Sequence, residues 1–273
     1  MSKNNEIAKK ETKNELMFGV DESALKQMSE DAAKHVDDTN PDDIAMPRLR
    51  ILQSASDQVK KSTPEYIKGA EEGDLFNTLS KEVFKAESGL FFVPAKRRVV
   101  YLEWKDQASG GGLVNNFGED ASAFLSAEVG ENGKRLSKDG HEIVKTYDFF
   151  GYVINLETNS ACEVVISMSK TSAKKAKQWY AQIRNLSDKE TGKQLPEYAG
   201  VYKLTTTPES NDKGSWFNYN VDFAGYTLGI PNIGKIVYEK AKEFSRLIAE
   251  NSDSTKVVYE NEAGSSSSDD GRV

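Results

Sequence analysis

The sequence predicts a mostly β fold with peripheral helices (α+β): a small Greek-key β-barrel with an inserted helix and a C-terminal amphipathic helix. Three observations predict it. At least five segments rich in β-branched and aromatic residues follow one another in meander order. Short turn signals join them in pairs. Helical periodicity interrupts the run once, near 169–186, and closes it at 232–250. This pattern fits a five-stranded Greek-key barrel better than a parallel sheet, in which strands and helices would alternate throughout.

Residues 1–40 are polar, with one weak amphipathic stretch whose Leu25, Met28, Ala32 and Val36 fall at helical spacing. They read as a mobile arm with a short helix. NPDDIAMPRLRILQSAS (40–56) opens the folded body, and DLFNTLS (74–80) continues it. GLFFVPAKRRVVYLEW (89–104) reads as a long strand, bent or edge-exposed at Pro94. QASGGGLVNNFGED (107–120), with three consecutive glycines, reads as a flexible loop. The Asp139-Gly140 pair signals a hairpin turn. YDFFGYVINL (147–156) and ACEVVISMS (161–169) are strands joined by a short turn, and a helix follows at once. AGVYKLTTTPE (199–209) and GSWFNYNVDFAGY (214–226) form a further strand pair. In the last helix Ile233, Ile236, Val237, Ala241, Phe244, Leu247 and Ile248 should face inward. The final EAGSSSSDDGRV is low-complexity and expected to be disordered.

Charge is segregated. Residues 1–45 hold 11 acidic and 6 basic side chains, residues 250–273 hold 6 and 2, and the total is −7, which leaves the body near +2. Acidic ends on a slightly basic body suit a protein whose body meets a polyanion, although charged termini also simply confer solubility. No apolar run approaches the ~20 residues of a membrane helix, and the first residues lack the apolar core of a secretory signal. Cys162 is the only cysteine, so no internal disulfide is possible and a reducing cytoplasm is expected.

Catalytic readings are weak. GIPNIGKI (229–236) imitates a phosphate loop, but Ile236 stands where Ser or Thr would reach magnesium, and Pro231 removes a backbone N–H. His35, His141 and Cys162 give no ligand cluster of zinc spacing. No enzyme, metal or cofactor is expected.

The informative pattern is basic and aromatic. SKTSAKKAKQWYAQIRN (169–185) places Lys170, Lys174, Lys177 and Arg184 along one helix flank, with Trp179 at its border and Ala173, Ala176, Tyr180 and Ile183 inward. Lys96, Arg97 and Arg98 precede a strand in which Tyr101 falls opposite to Trp104. Trp216 shares a strand face with Asn218, Asn220 and Asp222, while Lys203 and Lys213 flank that hairpin. Tyr202 is a second-rank aromatic. Single-stranded nucleic acid is held by this combination: cations track the backbone and rings stack on bases.

PRLRILQSASDQVKKSTPEYIKGAEEGDLFNT, VVYLEWKDQASGGG and above all VYKLTTTPESNDKGSWFNY resemble a family of tailed-bacteriophage proteins found with replication genes and regarded as single-stranded DNA-binding proteins of OB type. The resemblance covers about residues 46–226. It implies an OB-like domain at 46–250, a flexible acidic arm at 1–45, and a disordered acidic Ser-rich tail at 251–273. It also implies a non-enzymatic protein of the infected host's cytoplasm that coats single-stranded DNA. The tail resembles those through which such proteins contact phage or host replication or transcription proteins, but it ends in GRV rather than in a run of acids closed by Phe. The rival expectation is a phage structural or transcription-cofactor protein without direct DNA contact.

Overall fold

The computed structural model describes residues 46–106, 110–130, 133–212 and 214–250, together with Ser23, Val257 and Tyr259. The chain divides into two units, 1–40 and 41–273, and the architecture below is that of the second. The arm and its weak amphipathic stretch lie outside the described residues, Ser23 excepted.

The fold is mostly β. Strands β1 (Leu49–Ile51), β2 (Leu75–Asn77) and β3 (Val83–Phe84) form a small antiparallel sheet. The main sheet contains β4 (Leu90–Trp104), β5 (Leu113–Asn116), β6 (Glu128–Val129), β7 (Arg135–Leu136), β8 (Glu142–Asn155), β9 (Ser160–Met168), β10 (Gly200–Asn211) and β11 (Gly214–Tyr226). Helix α1 (Ser122–Ser126) lies between β5 and β6, α2 (Ala173–Arg184) between β9 and β10, and α3 (Gly234–Glu250) follows β11.

The β4–β8 pair is the axis of this sheet, antiparallel from Phe91↔Ile154 to Trp104↔Glu142. At one end it is flanked by β9 on one side and by β10 and β11 on the other; at the other end β5 joins β4 and β7 joins β8. The sheet curls into a half-barrel. The β1 segment spans its open side. On the β9 edge the Val165 amide donates to the Pro47 carbonyl at 2.8 Å. On the β11 edge the Gln53 side chain bonds both the amide and the carbonyl of Phe217, each at 2.9 Å, imitating a strand pair.

Residues 146–154 are buried without interruption, so β8 is covered on both faces. The inner cover is α2. Its Ala176, Trp179 and Ile183 pack with Phe92, Phe149, Met168, Tyr202 and Leu204. The outer cover is α3, whose Val237, Ala241, Phe244 and Ile248 meet Val93, Val100, Phe150 and Tyr152. The last helix is therefore rotated from the expected inward set: Ile236 and Leu247 are exposed. Its seven apolar positions span a wider arc than one sheet face can cover.

One strand expectation is met and one corrected. At Pro94 the strand is bent, by a bulge between Pro94 and Lys96, and Pro94 pairs with β8 alone because the β10 ladder ends at Phe92. Opposite it stands Gly151, where a Cβ would lie 2.2 Å from the Val93 carbonyl oxygen. The region expected to be a loop at 107–120 contains β5, recruited by the end of β4.

Within the segment expected to be disordered, Val257 and Tyr259 are buried against the outer face, while the other residues of 251–273 lie outside the described ones. The Tyr259 hydroxyl donates to Asp148 Oδ2 at 2.5 Å. Ending the chain after Glu250 should therefore cost about 2–4 kcal/mol of stability, from lost apolar burial and a lost charged hydrogen bond. Ending it after Glu260 should cost nothing measurable, and thermal denaturation of the two truncations checks this.

Asp148 is fully buried beside Tyr259, with Arg98 Nη2 at 3.5 Å and the Ser167 hydroxyl at 2.7 Å. Burial pushes its carboxyl above the ordinary value of 3.8, and the bonds from Tyr259 and Ser167 and the charges of Arg98 and Arg48 pull it part-way back. Between 3.8 and the raised value the native state holds more protons than the unfolded chain, so this group's contribution to stability falls as pH rises. Tyr259→Phe removes a bond to the ionised form and raises the group further. Its stability deficit should be about 1–3 kcal/mol at neutral pH and shrink as pH falls through the raised value toward 3.8, as read by urea denaturation across pH.

Candidate nucleic-acid interface

Helix α2 covers only the first half of the inner face of β4–β8. Beyond it, cations and rings finish the surface. The Arg97 guanidinium lies 3.7 Å from the centre of the Tyr180 ring on α2 and 5.9 Å from that of Tyr147. Lys145 Nζ sits 5.6 Å from the Tyr147 ring and 5.8 Å from the Tyr101 ring. Tyr101 packs on Phe124 of α1 at 5.1 Å between centroids, and Arg135 of β7 lies 4.6 Å over Phe124. Strand register dictates the order: Arg97 pairs with Phe149, Val99 with Tyr147 and Tyr101 with Lys145, all projecting inward. Tyr147 and Tyr101 are largely covered by the cations, whereas Tyr180 and Phe124 are half-buried and present ring surface.

At the α2 end, Lys96, Arg97 and Arg184 converge on Glu197. Burial raises that carboxyl, and Lys96, the Arg97 amide (2.8 Å to Oε2), the Arg97 side chain and Arg184 all oppose the rise. Three cations on one carboxylate leave local positive charge. Lys177, exposed one turn before Tyr180 and Ala181, extends it.

The sequence-named residues therefore separate. Lys96, Arg97, Tyr101, Lys177 and Arg184 fall on or beside this track. Lys174 is exposed on α2 and makes no ion pair among the described residues. Lys170 is paired with Glu142 at 2.9 Å. Lys203 is half-buried between Phe91 and Asp222, and Lys213 lies outside the described residues.

Five of the named residues lie away from the track. Arg98 is 5% exposed on the outer face, against Asp148 and 4.9 Å over the Phe150 ring, so it is a structural cation. Trp179 is 1% exposed and central rather than at a border: it stacks on Phe149 at 4.2 Å and meets Phe92 and Tyr202 edge-on. Tyr202 is fully buried, its ring lining a shallow cleft of about 420 Å³ between α2 and β11. Trp104 packs with the outer-face core, opposite to Tyr101 as expected. Trp216 is half-buried beside Glu209, which holds Lys175 at 3.4 Å, and the face expected to be polar contains Asn218, which is buried. The Asn218 amide receives the Ser172 hydroxyl and donates to Glu209, each at 2.9 Å, pinning the start of α2 to β11.

Lys145, Tyr147, Tyr180, Phe124 and Arg135 were missed. Lys145 and Tyr147 alternate on one strand, a signal present in the sequence. Phe124 and Arg135 reach the track only through tertiary pairing.

A family model described as Pam3 phage gp34-like protein matches residues 11–253. The chain belongs to the Pam3 phage gp34-like family. No curated protein and no solved structure matches it. The match to the gp34-like family spans every strand and helix from β1 to α3, so the inner track and its two covers fall inside the family's own extent. Among the described residues of this phage protein, no helix is long and apolar enough to cross a membrane.

Adjacent arginines should behave oppositely. Arg98→Ala leaves Asp148 buried without its ion pair and should cost about 3–5 kcal/mol of stability. Arg97→Ala uncovers half-exposed rings and should cost under about 1 kcal/mol, the usual range for surface changes. Urea denaturation of the two variants side by side checks the assignment.

Proposed function

We propose that this phage protein binds single-stranded DNA along the inner track of β4–β8, and coats and protects it during phage replication. The observation that carries the reading is the alternation of Tyr180, Arg97, Tyr147, Lys145, Tyr101, Phe124 and Arg135 on one continuous face. Cations at this spacing can follow phosphates, and the half-exposed rings of Tyr180 and Phe124 offer stacking surface at ~1–3 kcal/mol per base.

Connectivity supports an OB-like Greek-key reading of the half-barrel. The strand order β9-β8-β4-β10-β11, with α2 between β9 and β10, is that of a five-stranded barrel whose edges are bridged by the β1 segment. In such barrels the second and third strands and the loops after the first and fourth hold oligonucleotides. Here the loop after the first strand is the β5–α1–β6–β7 excursion, which supplies Phe124 and Arg135. Recruitment of replication or transcription partners through the acidic ends belongs to the same proposal.

The test is fluorescence anisotropy of a labelled oligo(dT) titrated across a salt series. If about four of Lys96, Arg97, Lys145, Lys177 and Arg184 each neutralise a phosphate, log affinity should fall with log salt at a slope near −3. Arg97→Ala with Lys145→Ala should weaken binding and flatten the slope together. Tyr180→Ala should weaken binding with the slope unchanged. Absence of binding at low salt, or a flat salt response, overturns the reading in favour of a protein-interaction role.

A further inference from the structure

At the far end of β4, beyond Tyr101, stands Glu103. It is 93% buried, with 7% of its surface exposed, and its charged partner among the described residues is His141, Nδ1 to Oε1 at 3.1 Å. No lysine or arginine makes an ion pair with it among the described residues. A buried carboxylate compensated only by a part-exposed imidazole is short of positive charge. Asp139 adds a second carboxylate, and the ligand atoms of Glu103, Asp139 and His141 all lie within 4.8 Å of one another.

The β7–β8 turn holds two of the three in place. The Ser137 amide donates to the His141 carbonyl at 2.8 Å and the Gly140 amide to the Ser137 carbonyl at 3.0 Å. Gly140 at φ +78° supplies the left-handed step that lets the turn close so tightly. Asp139 and His141 are thereby presented toward the end of β4, while Glu103 comes from a strand 36 residues earlier in the chain.

We propose that Glu103, Asp139 and His141 bind one divalent first-row transition ion of the zinc or manganese class. An ion with bonds of about 2.1 Å holds neighbouring ligand atoms about 3.0–3.4 Å apart, and the Nδ1–Oε1 pair already stands at 3.1 Å. Asp139 is exposed and needs only a side-chain rotation to complete three ligands, with water filling the rest. Imidazole among the ligands favours zinc over magnesium or calcium, while the two carboxylates with water also suit manganese. The ion would clamp the β7–β8 turn to β4 and cancel the two carboxylates that end the cationic track. The clamp stands on its own, whereas the charge effect matters only if the track binds nucleic acid.

The experiment uses the untagged full-length chain carrying Cys162→Ser, since Cys162 is exposed and could take zinc by itself. Isothermal titration with zinc and with manganese, beside magnesium and calcium, should give one saturable site for the first pair and none for the second. Loading should raise the thermal midpoint over that in chelator. His141→Ala and, separately, Asp139→Asn should each weaken binding at least ~tenfold, the midpoint in chelator staying unchanged in Asp139→Asn and falling in His141→Ala, which strips Glu103 of its partner, whereas His35→Ala should leave binding intact. Asp139→Asn, on an exposed turn, keeps the test informative should His141→Ala fold poorly. Absence of a saturable site, retained affinity in Asp139→Asn, or loss of it in His35→Ala overturns the proposal. None of these readouts involves DNA, so their failure leaves the nucleic-acid reading untouched, and the reverse holds too.

Discussion

The constraint on which the rest depends is that the β4–β8 pair is long and is buried on both faces along much of its length. A strand pair paired from Phe91↔Ile154 to Trp104↔Glu142 buries both faces only if two different elements cover it. Helix α2 supplies the inner cover through Trp179, and α3 the outer through Phe244. The covers are unequal. Twelve helical residues span about 18 Å, while fifteen strand residues span about 50 Å. The inner face therefore outruns its helix, and the chain must finish it with side chains that tolerate water.

The bulge at Ala95 decides which side chains those are. Before it, Phe91 and Val93 face outward and Phe92 inward; after it, Arg98, Val100 and Leu102 face outward and Arg97, Val99 and Tyr101 inward. One inserted residue reverses the alternation. Without it Arg98 would point into the groove and Arg97 would be buried against Asp148. The separation of a groove cation from a structural one follows from a single backbone irregularity beside Pro94.

That irregularity also explains what the sequence could and could not disclose. The strands, their hairpins and both long helices follow from local periodicity and turn residues, and were legible. The side on which Arg97 and Arg98 fall was not, because parity counted from the start of β4 reverses across the bulge, and no local pattern says that it must be counted from the other end. Trp179 was misassigned for a related reason. Helical spacing alone fits an apolar face centred on Tyr180 as well as one centred on Trp179, and the concavity formed by Phe92, Phe149 and Tyr202 selects the larger ring. Phe124, Arg135 and the Glu103–His141 contact depend on the excursion between β4 and β8 folding back, which no local pattern encodes. Val257 and Tyr259 sit in a segment whose composition reads as disordered, yet one hydroxyl meeting a buried carboxylate anchors them.

A strand face left without a cover could be finished simply for solubility. Then its cations would be matched by carboxylates, since an unpaired surplus adds self-repulsion to the folded state. On α3 Arg246 is held by Glu243 and Glu250 and Lys242 lies 3.8 Å from Glu239, while Lys235 and Lys240 make no ion pair among the described residues. The inner track carries no such close pair among the described residues. Lys145 and Arg135 make no ion pair among the described residues, and Arg97 shares Glu197 with Lys96 and Arg184. Rings flattened under cations keep those charges close to the surface rather than waving in solvent, which reduces the entropy lost when an anion binds. In a chain of net charge −7, surplus positive charge held on one concave face is the feature on which the proposed binding of a polyanion rests.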